Sequence, residues 1–134
     1  MNRRTMLGLA LLLFVGCKGD DKPIDPVWGK QPCEHCKMLV DDRRSAAEVL
    51  LKNGEHAFFD DVGCMIAWAD EHPSETRVFV RSGDGWIDAR GARYVSGQKT
   101  PMDFGYVPSG AGDLDWPTIQ SRVLSRLNEQ GGLP

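Results

Sequence analysis

The sequence lacks the basic surplus that a nucleic-acid-binding surface requires. Its 16 Lys and Arg against 19 Asp and Glu leave a formal net charge of −3, and no nucleic-acid partner is expected. It also lacks an apolar run long enough to cross a bilayer as a mature helix. The longest, residues 6–15, falls well short of the roughly 20 residues such a helix needs. Enzyme signatures are missing too. There is no Gly-x-Ser-x-Gly, no His-Glu-x-x-His and no phosphate-cradling glycine loop, so a binding role rather than an enzymatic one is expected. No second Cys-x-x-Cys and no His-x-x-x-His accompanies the single Cys-x-x-Cys. No low-complexity tract occurs, and 41% hydrophobic with 26% charged residues is ordinary for a globular chain of 134 residues.

The first feature present is a leader. Arg3 and Arg4 precede the apolar run, which stops at Gly16-Cys17. This is the layout of a signal peptide over residues 1–16, and its end resembles the bacterial lipobox, in which the cysteine becomes a lipid-modified N-terminus. Cys17 is then the membrane anchor and no longer a ligand. Loss of Arg3 and Arg4 with the leader takes the net charge from −3 to −5, which suits docking on a basic partner patch. Of four cysteines, Cys33, Cys36 and Cys64 remain, an odd number for an oxidising compartment. At least one must be free, or paired with another molecule or a metal. Residues 17–30, rich in charge and proline, read as a flexible tether, with the folded domain at 31–134.

Periodicity indicates an α+β fold of small, mainly antiparallel sheets with two short helices. Asn53-Gly54 between two extended runs predicts a hairpin with a type I′ turn. Asp61 can cap a helix from Val62 to about Glu71, with Val62, Met65, Ile66 and Ala69 on one face. Val78 and Val80 alternate with Arg77, Phe79 and Arg81 in a strand, Ser82-Gly83-Asp84-Gly85 turns into Trp86-Ile87-Asp88-Ala89, and residues 101–108 suit an edge strand. Asp115 can cap a terminal helix bearing Ile119, Val123 and Leu127. A strand–strand–helix order is readable twice, in residues 45–71 and 86–130.

The chemistry concentrates in Cys33-Glu34-His35-Cys36-Lys37-Met38. As a zinc site, Cys33 and Cys36 need two further ligands at comparable spacing, which the chain does not offer. As a thioredoxin-like redox pair, they should sit at a strand-to-helix junction in a βαβ setting. As a Cu(I) site, the stretch supplies thiolate and thioether donors that suit a soft ion, and this reading alone gives Met38 a role. Cys64, in the first turn of its helix, gains thiolate character from the helix dipole. Met102, in a Pro-x-Asp loop, is a further soft donor, whereas Met65 reads as core. Asp60 and Asp61 read as turn and cap residues, and His56 and His72 as surface residues. His35 is a nitrogen donor or a solvated loop residue.

Taken together, Cys33-x-x-Cys36-x-Met38, Phe59-Asp60-Asp61-x-Gly63-Cys64-Met65, Trp86-Ile87-Asp88-Ala89 with Ala92-x-Tyr94-Val95, and Thr100-Pro101-Met102-x-x-Gly105 resemble the NosL family. These are copper-binding lipoproteins that accompany nitrous oxide reductase, and the resemblance runs over about residues 31–108. It implies a periplasm-facing, membrane-anchored Cu(I) chaperone of two small ββαβ-like units. Copper would pass to the reductase, another extracytoplasmic cuproenzyme, or the assembly complex of either. By position, Cys36 and Met38 match the family's Cys-x-Met motif, and Met102 its Thr-Pro-Met segment. Asp103 stands where glycine is usual in that family, and Cys33 is an additional thiol. Two other readings stay open: a thiol–disulfide oxidoreductase using Cys33 and Cys36, and a structural lipoprotein in which those two form a disulfide.

Overall fold

The computed structural model describes residues 21–73 and 77–130. The expected signal peptide and Cys17 lie outside the described residues. Strands β1 (Ala47–Leu50) and β2 (His56–Phe59) form the expected hairpin, with Glu48 opposite Phe58 and Leu50 opposite His56. Its turn differs from type I′. Leu51 N–H donates to Glu55 O and Gly54 N–H to Leu51 O, both at 2.9 Å, and within the loop only Gly54 has positive φ, 85°. This is the three-residue hairpin loop with a glycine bulge. The extra residue leaves Asn53 in an ordinary conformation, where its side-chain oxygen accepts from the Glu55 amide at 3.0 Å.

Helix α1 (Val62–Glu71) starts on Asp61, whose carboxylate accepts from the Gly63 amide. It carries the chain over β1 to β3 (Arg77–Ser82), and a tight turn at Gly83-Asp84 leads into β4 (Gly85–Asp88). The four-stranded sheet has the order β2-β1-β3-β4, antiparallel throughout. β2 and β3 therefore run parallel on either side of β1, a split βαβ unit. The second half is smaller. β5 (Tyr94–Val95) and β6 (Val107–Pro108) make a two-stranded antiparallel sheet, and α2 (Trp116–Glu129) closes the fold against α1.

The α+β architecture is as expected, but only the first half is a full ββαβ unit. β4 completes the first sheet instead of opening a second unit, because its two-residue turn returns it directly along β3. No strand follows α2 among the described residues, and the expected edge strand at 101–108 is reduced to β6. Asp115 caps α2 as predicted, through the Thr118 amide, and Ile119 and Val123 are buried. No helix among the described residues is long and apolar enough to cross a membrane.

The two faces of the large sheet are covered differently. Ala47, Val49, Phe59, Val78 and Val80 are buried on the face that α1 packs on. The opposite face carries Glu48, Phe58, Phe79, Arg81 and Trp86, and residues 21–29 lie across it as a strap. The Ile24 amide donates to the Glu48 carboxylate at 3.0 and 3.2 Å, Arg77 donates to Asp21 O, and Asp25 accepts from both Arg81 and the Trp86 indole. Trp28 stacks on Trp86, centroids 6.4 Å apart and planes 6° apart, and the guanidinium groups of Arg43 and Arg81 both lie over its ring. The stretch read from composition as tether is thus packed from Asp21 onward. Phe79 and Arg81, each 5% exposed, and the fully buried Glu48 would otherwise face water.

Helix α1 is enclosed at its first turn as well as along one face. Val62 to Ala67 are all buried, and a Cβ built on Gly63 would come within 2.0–2.6 Å of Phe104 side-chain atoms. Gly63→Ala is expected to destabilise the fold by about 1–3 kcal/mol through overpacking, measured by chemical denaturation. Gly63→Ala combined with Phe104→Leu should recover part of that loss.

Candidate metal centre

The Cys33-x-x-Cys36 stretch forms a closed knuckle. Pro32 and Leu39 bridge antiparallel, Cys33 N–H donates to Met38 O at 2.7 Å, and Lys37 N–H donates to Cys33 O at 3.0 Å. Lys37 takes positive φ, 67°, a conformation costly for a non-glycine residue. The reward is that backbone amides point at sulfur: Cys36 N–H reaches Cys33 Sγ at 3.5 Å, and the Met38 amide bonds the Cys36 thiol. Glu34 N–H donates to Phe58 O at 2.9 Å, which seats the knuckle on the outer edge of β2. The chain leaving β2 then brings Asp60 and, one turn later, Cys64 to the same place.

Cys33, Cys36, Asp60 and Cys64 each offer a ligand atom, and these four atoms lie within 4.8 Å of one another. Cys33, Cys64 and Asp60 are fully buried, while Cys36 is half-buried at the rim. All three cysteines are free thiols. The Cys36 thiol donates to both Asp60 oxygens at 3.3 Å, and the Asp60 carbonyl accepts from Ser45 Oγ at 2.9 Å. Three sulfurs and one carboxylate are a donor set for a thiophilic d¹⁰ ion, three-coordinate through sulfur or four-coordinate with Asp60.

This placement sorts the sequence candidates. Cys33, Cys36 and Cys64 come together. Met38 sits beside Cys36, but its side chain is 53% exposed. Met102 is half-buried, with its amide donating to Asp61 Oδ2 at 3.0 Å, so Asp61 both caps α1 and ties the 100–105 loop to it. Met65 is core, as expected. His56 bonds Glu48 and His72 stacks on Trp68, both away from the cluster.

Two expectations require correction. Asp60, read as a turn residue, is inside the cluster, and the spacing argument against zinc fails, because Asp60 and Cys64, 24 and 28 residues beyond Cys36, complete four donors. The signal available in the sequence was the buried-looking Phe59-Asp60-Asp61 run itself, since a carboxylate next to an apolar strand needs a partner.

The thiols are not equivalent. The Cys33 thiol is lowered to about 6 by the hydrogen bond from Cys64, with help from the amides of Cys36, Asp60 and His35. Cys64 is pushed up by that same bond and by burial, which overrides the helix dipole expected to favour its thiolate. Burial raises Cys36 to about 12, with Asp60 adding to the effect. No family model matches the chain, and no curated protein or solved structure does either.

A pH dependence follows for the reduced, metal-free protein. Cys33 is depressed from 9.0 to about 6, so its contribution to stability is complete above pH 9 and is lost as pH falls through 6. Cys36 and Cys64 are raised, so their unfolded-state ionisation lowers stability above pH 9. Thermal melts should therefore show stability rising between pH 6 and 9 and falling beyond. Cys33→Ser should flatten the rise, and the ultraviolet absorbance of thiolate should report one group titrating near pH 6.

Proposed function

We propose that the protein is a Cu(I) metallochaperone, anchored to the membrane through Cys17 and facing the periplasm. It would pass copper to an extracytoplasmic cuproenzyme or its assembly complex, with nitrous oxide reductase the recipient that the NosL resemblance suggests. The observation that carries this reading is the convergence of three cysteine sulfurs in one cluster, of which only Cys36 reaches the surface. Cu(I) is stable with two or three thiolates. A site with two buried thiols and one rim thiol lets an incoming ligand displace Cys36 first, so the ion can transfer by ligand exchange without entering solvent. Exposed Met38, next to that rim, is a soft donor suited to a transient contact.

A second reading, Zn(II), is favoured by Asp60, which supplies the fourth ligand of a tetrahedral Cys₃Asp site. Disulfide exchange is disfavoured by geometry, because Cys33, the thiol with the most amide donors, has no exposed surface for attack on an external disulfide.

Competition of the reduced protein against a chromophoric Cu(I) chelator tests the assignment. Cys33→Ser, Cys36→Ser and Cys64→Ser are each expected to weaken Cu(I) binding by on the order of 10–100-fold or more, and Met38→Ala by less. Asp60→Asn should weaken Zn(II) far more than Cu(I). Unchanged Cu(I) affinity in Cys36→Ser would sink the copper reading.

A further inference from the structure

A groove of about 550 Å³ lies between α1 and α2, and its lining includes His35, one of the two residues between the knuckle cysteines. Leu124 and Leu127, three residues apart on α2, form an apolar wall and are only half-buried. Asp70 and Glu71, both exposed, stand on the opposite side at the end of α1.

The charge placement there is unfavourable for the helix that carries it. The C-terminal end of a helix carries partial negative charge, and acidic residues in its last turn cost roughly 0.3–1 kcal/mol each. α1 ends on two acids, Asp70 and Glu71, with no basic residue in its last turn, whereas α2, which ends on the single acid Glu129, has Arg126 in the same turn to offset it. Local violations of this kind concentrate at functional sites. Two carboxylates and a helix C-terminus put negative potential beside the half-buried leucines, next to the knuckle.

We propose that this groove is the docking surface for a basic, apolar-faced helical segment of the protein that exchanges metal with this one. Leucine-type residues of that segment would fill the wall formed by Leu124 and Leu127, and its Lys or Arg residues would pair with Asp70 and Glu71, the helix-in-groove mode. His35 makes the groove continuous with the knuckle, so a partner seated there stands at the metal site. The inference rests on the metallochaperone reading for the partner's role, while the groove's preference for a basic helix is measurable without metal.

The probes are two synthetic amphipathic helical peptides, one of leucine and lysine and one with glutamate at every lysine position, titrated into the ¹⁵N-labelled full chain with and without Cu(I). The lysine peptide is expected to bind and to shift the resonances of His35, Leu124 and Leu127. Asp70→Lys with Glu71→Lys should weaken it at least about tenfold, and raised salt should weaken it in the wild type. The glutamate peptide should not bind. Equal binding of the two peptides, indifference to the charge reversal, or shifts confined to other surfaces would each overturn the proposal. The double variant should keep wild-type Cu(I) affinity, because neither carboxylate belongs to the cluster. Failure of the unaltered chain to bind Cu(I) would instead refute the metal reading, and the peptide preference would still decide the groove.

Discussion

The junction between β2 and α1 carries two consecutive carboxylates, Asp60 and Asp61, both fully buried, and the site depends on how they are satisfied. A buried carboxylate without partners is strongly unfavourable. Asp61 resolves this with one oxygen on the Gly63 amide and the other on the Met102 amide, which joins the helix start to the 100–105 loop. Asp60 resolves it through the Cys36 thiol, which joins the helix start to the knuckle. Neither can rotate without orphaning a group. Three segments far apart in sequence are therefore held around one corner, with Cys64 at its centre. Gly63 is required there for the same reason, since the corner closes onto the Phe104 ring and leaves no room for a side chain.

Within that corner, three thiols cannot ionise independently. A first thiolate raises the cost of a second through charge repulsion in a water-poor setting. Cys33 is the one that ionises, chiefly because Cys64 donates a hydrogen bond to it, with the amides of Cys36, Asp60 and His35 adding to the effect. Cys64 becomes the proton donor to Cys33, and Cys36 the donor to Asp60. A cation held by these sulfurs would replace their protons and reverse the balance, since the ligands must be deprotonated to bind. In the free protein, protons thus link the four side chains that could hold a metal.

The sequence made local features legible and left the assembly obscure. Both helices, their Asp61 and Asp115 caps, the β1–β2 hairpin and the alternating strand at Val78 and Val80 follow from short-range rules about capping, turns and period. Cys33 and Cys36 stood out because a Cys-x-x-Cys pair is itself a ligand signature. Asp60 did not, because an Asp-Asp pair before a helix has a sufficient explanation in capping, and only the tertiary approach of Cys36 shows that one of the two is doing something else. Cys64 was visible as a candidate, but its protonation state was not. The helix dipole acts from the sequence outward, whereas the Cys33 hydrogen bond that overrides it exists only after folding.

The strap shows the same limit from the opposite side. Proline and charge in residues 21–30 match linker composition, yet Glu48 on β1 points away from the α1 face and needs donors that only another segment can bring. The Ile24 amide and His56 provide them, and Asp25 with Trp28 covers Arg81 and Trp86 beside them. The charges that looked like linker solvation are the partners of buried charges on the sheet. With the anchor proposed at Cys17, only residues 17–20 precede the strap, a contour of at most about 14 Å. The strap crosses β1, β3 and β4, while the knuckle sits on the far edge at β2. On the proposed reading, anchoring and metal exchange would use different parts of the same sheet, and a partner would reach Cys36 without displacing the strap.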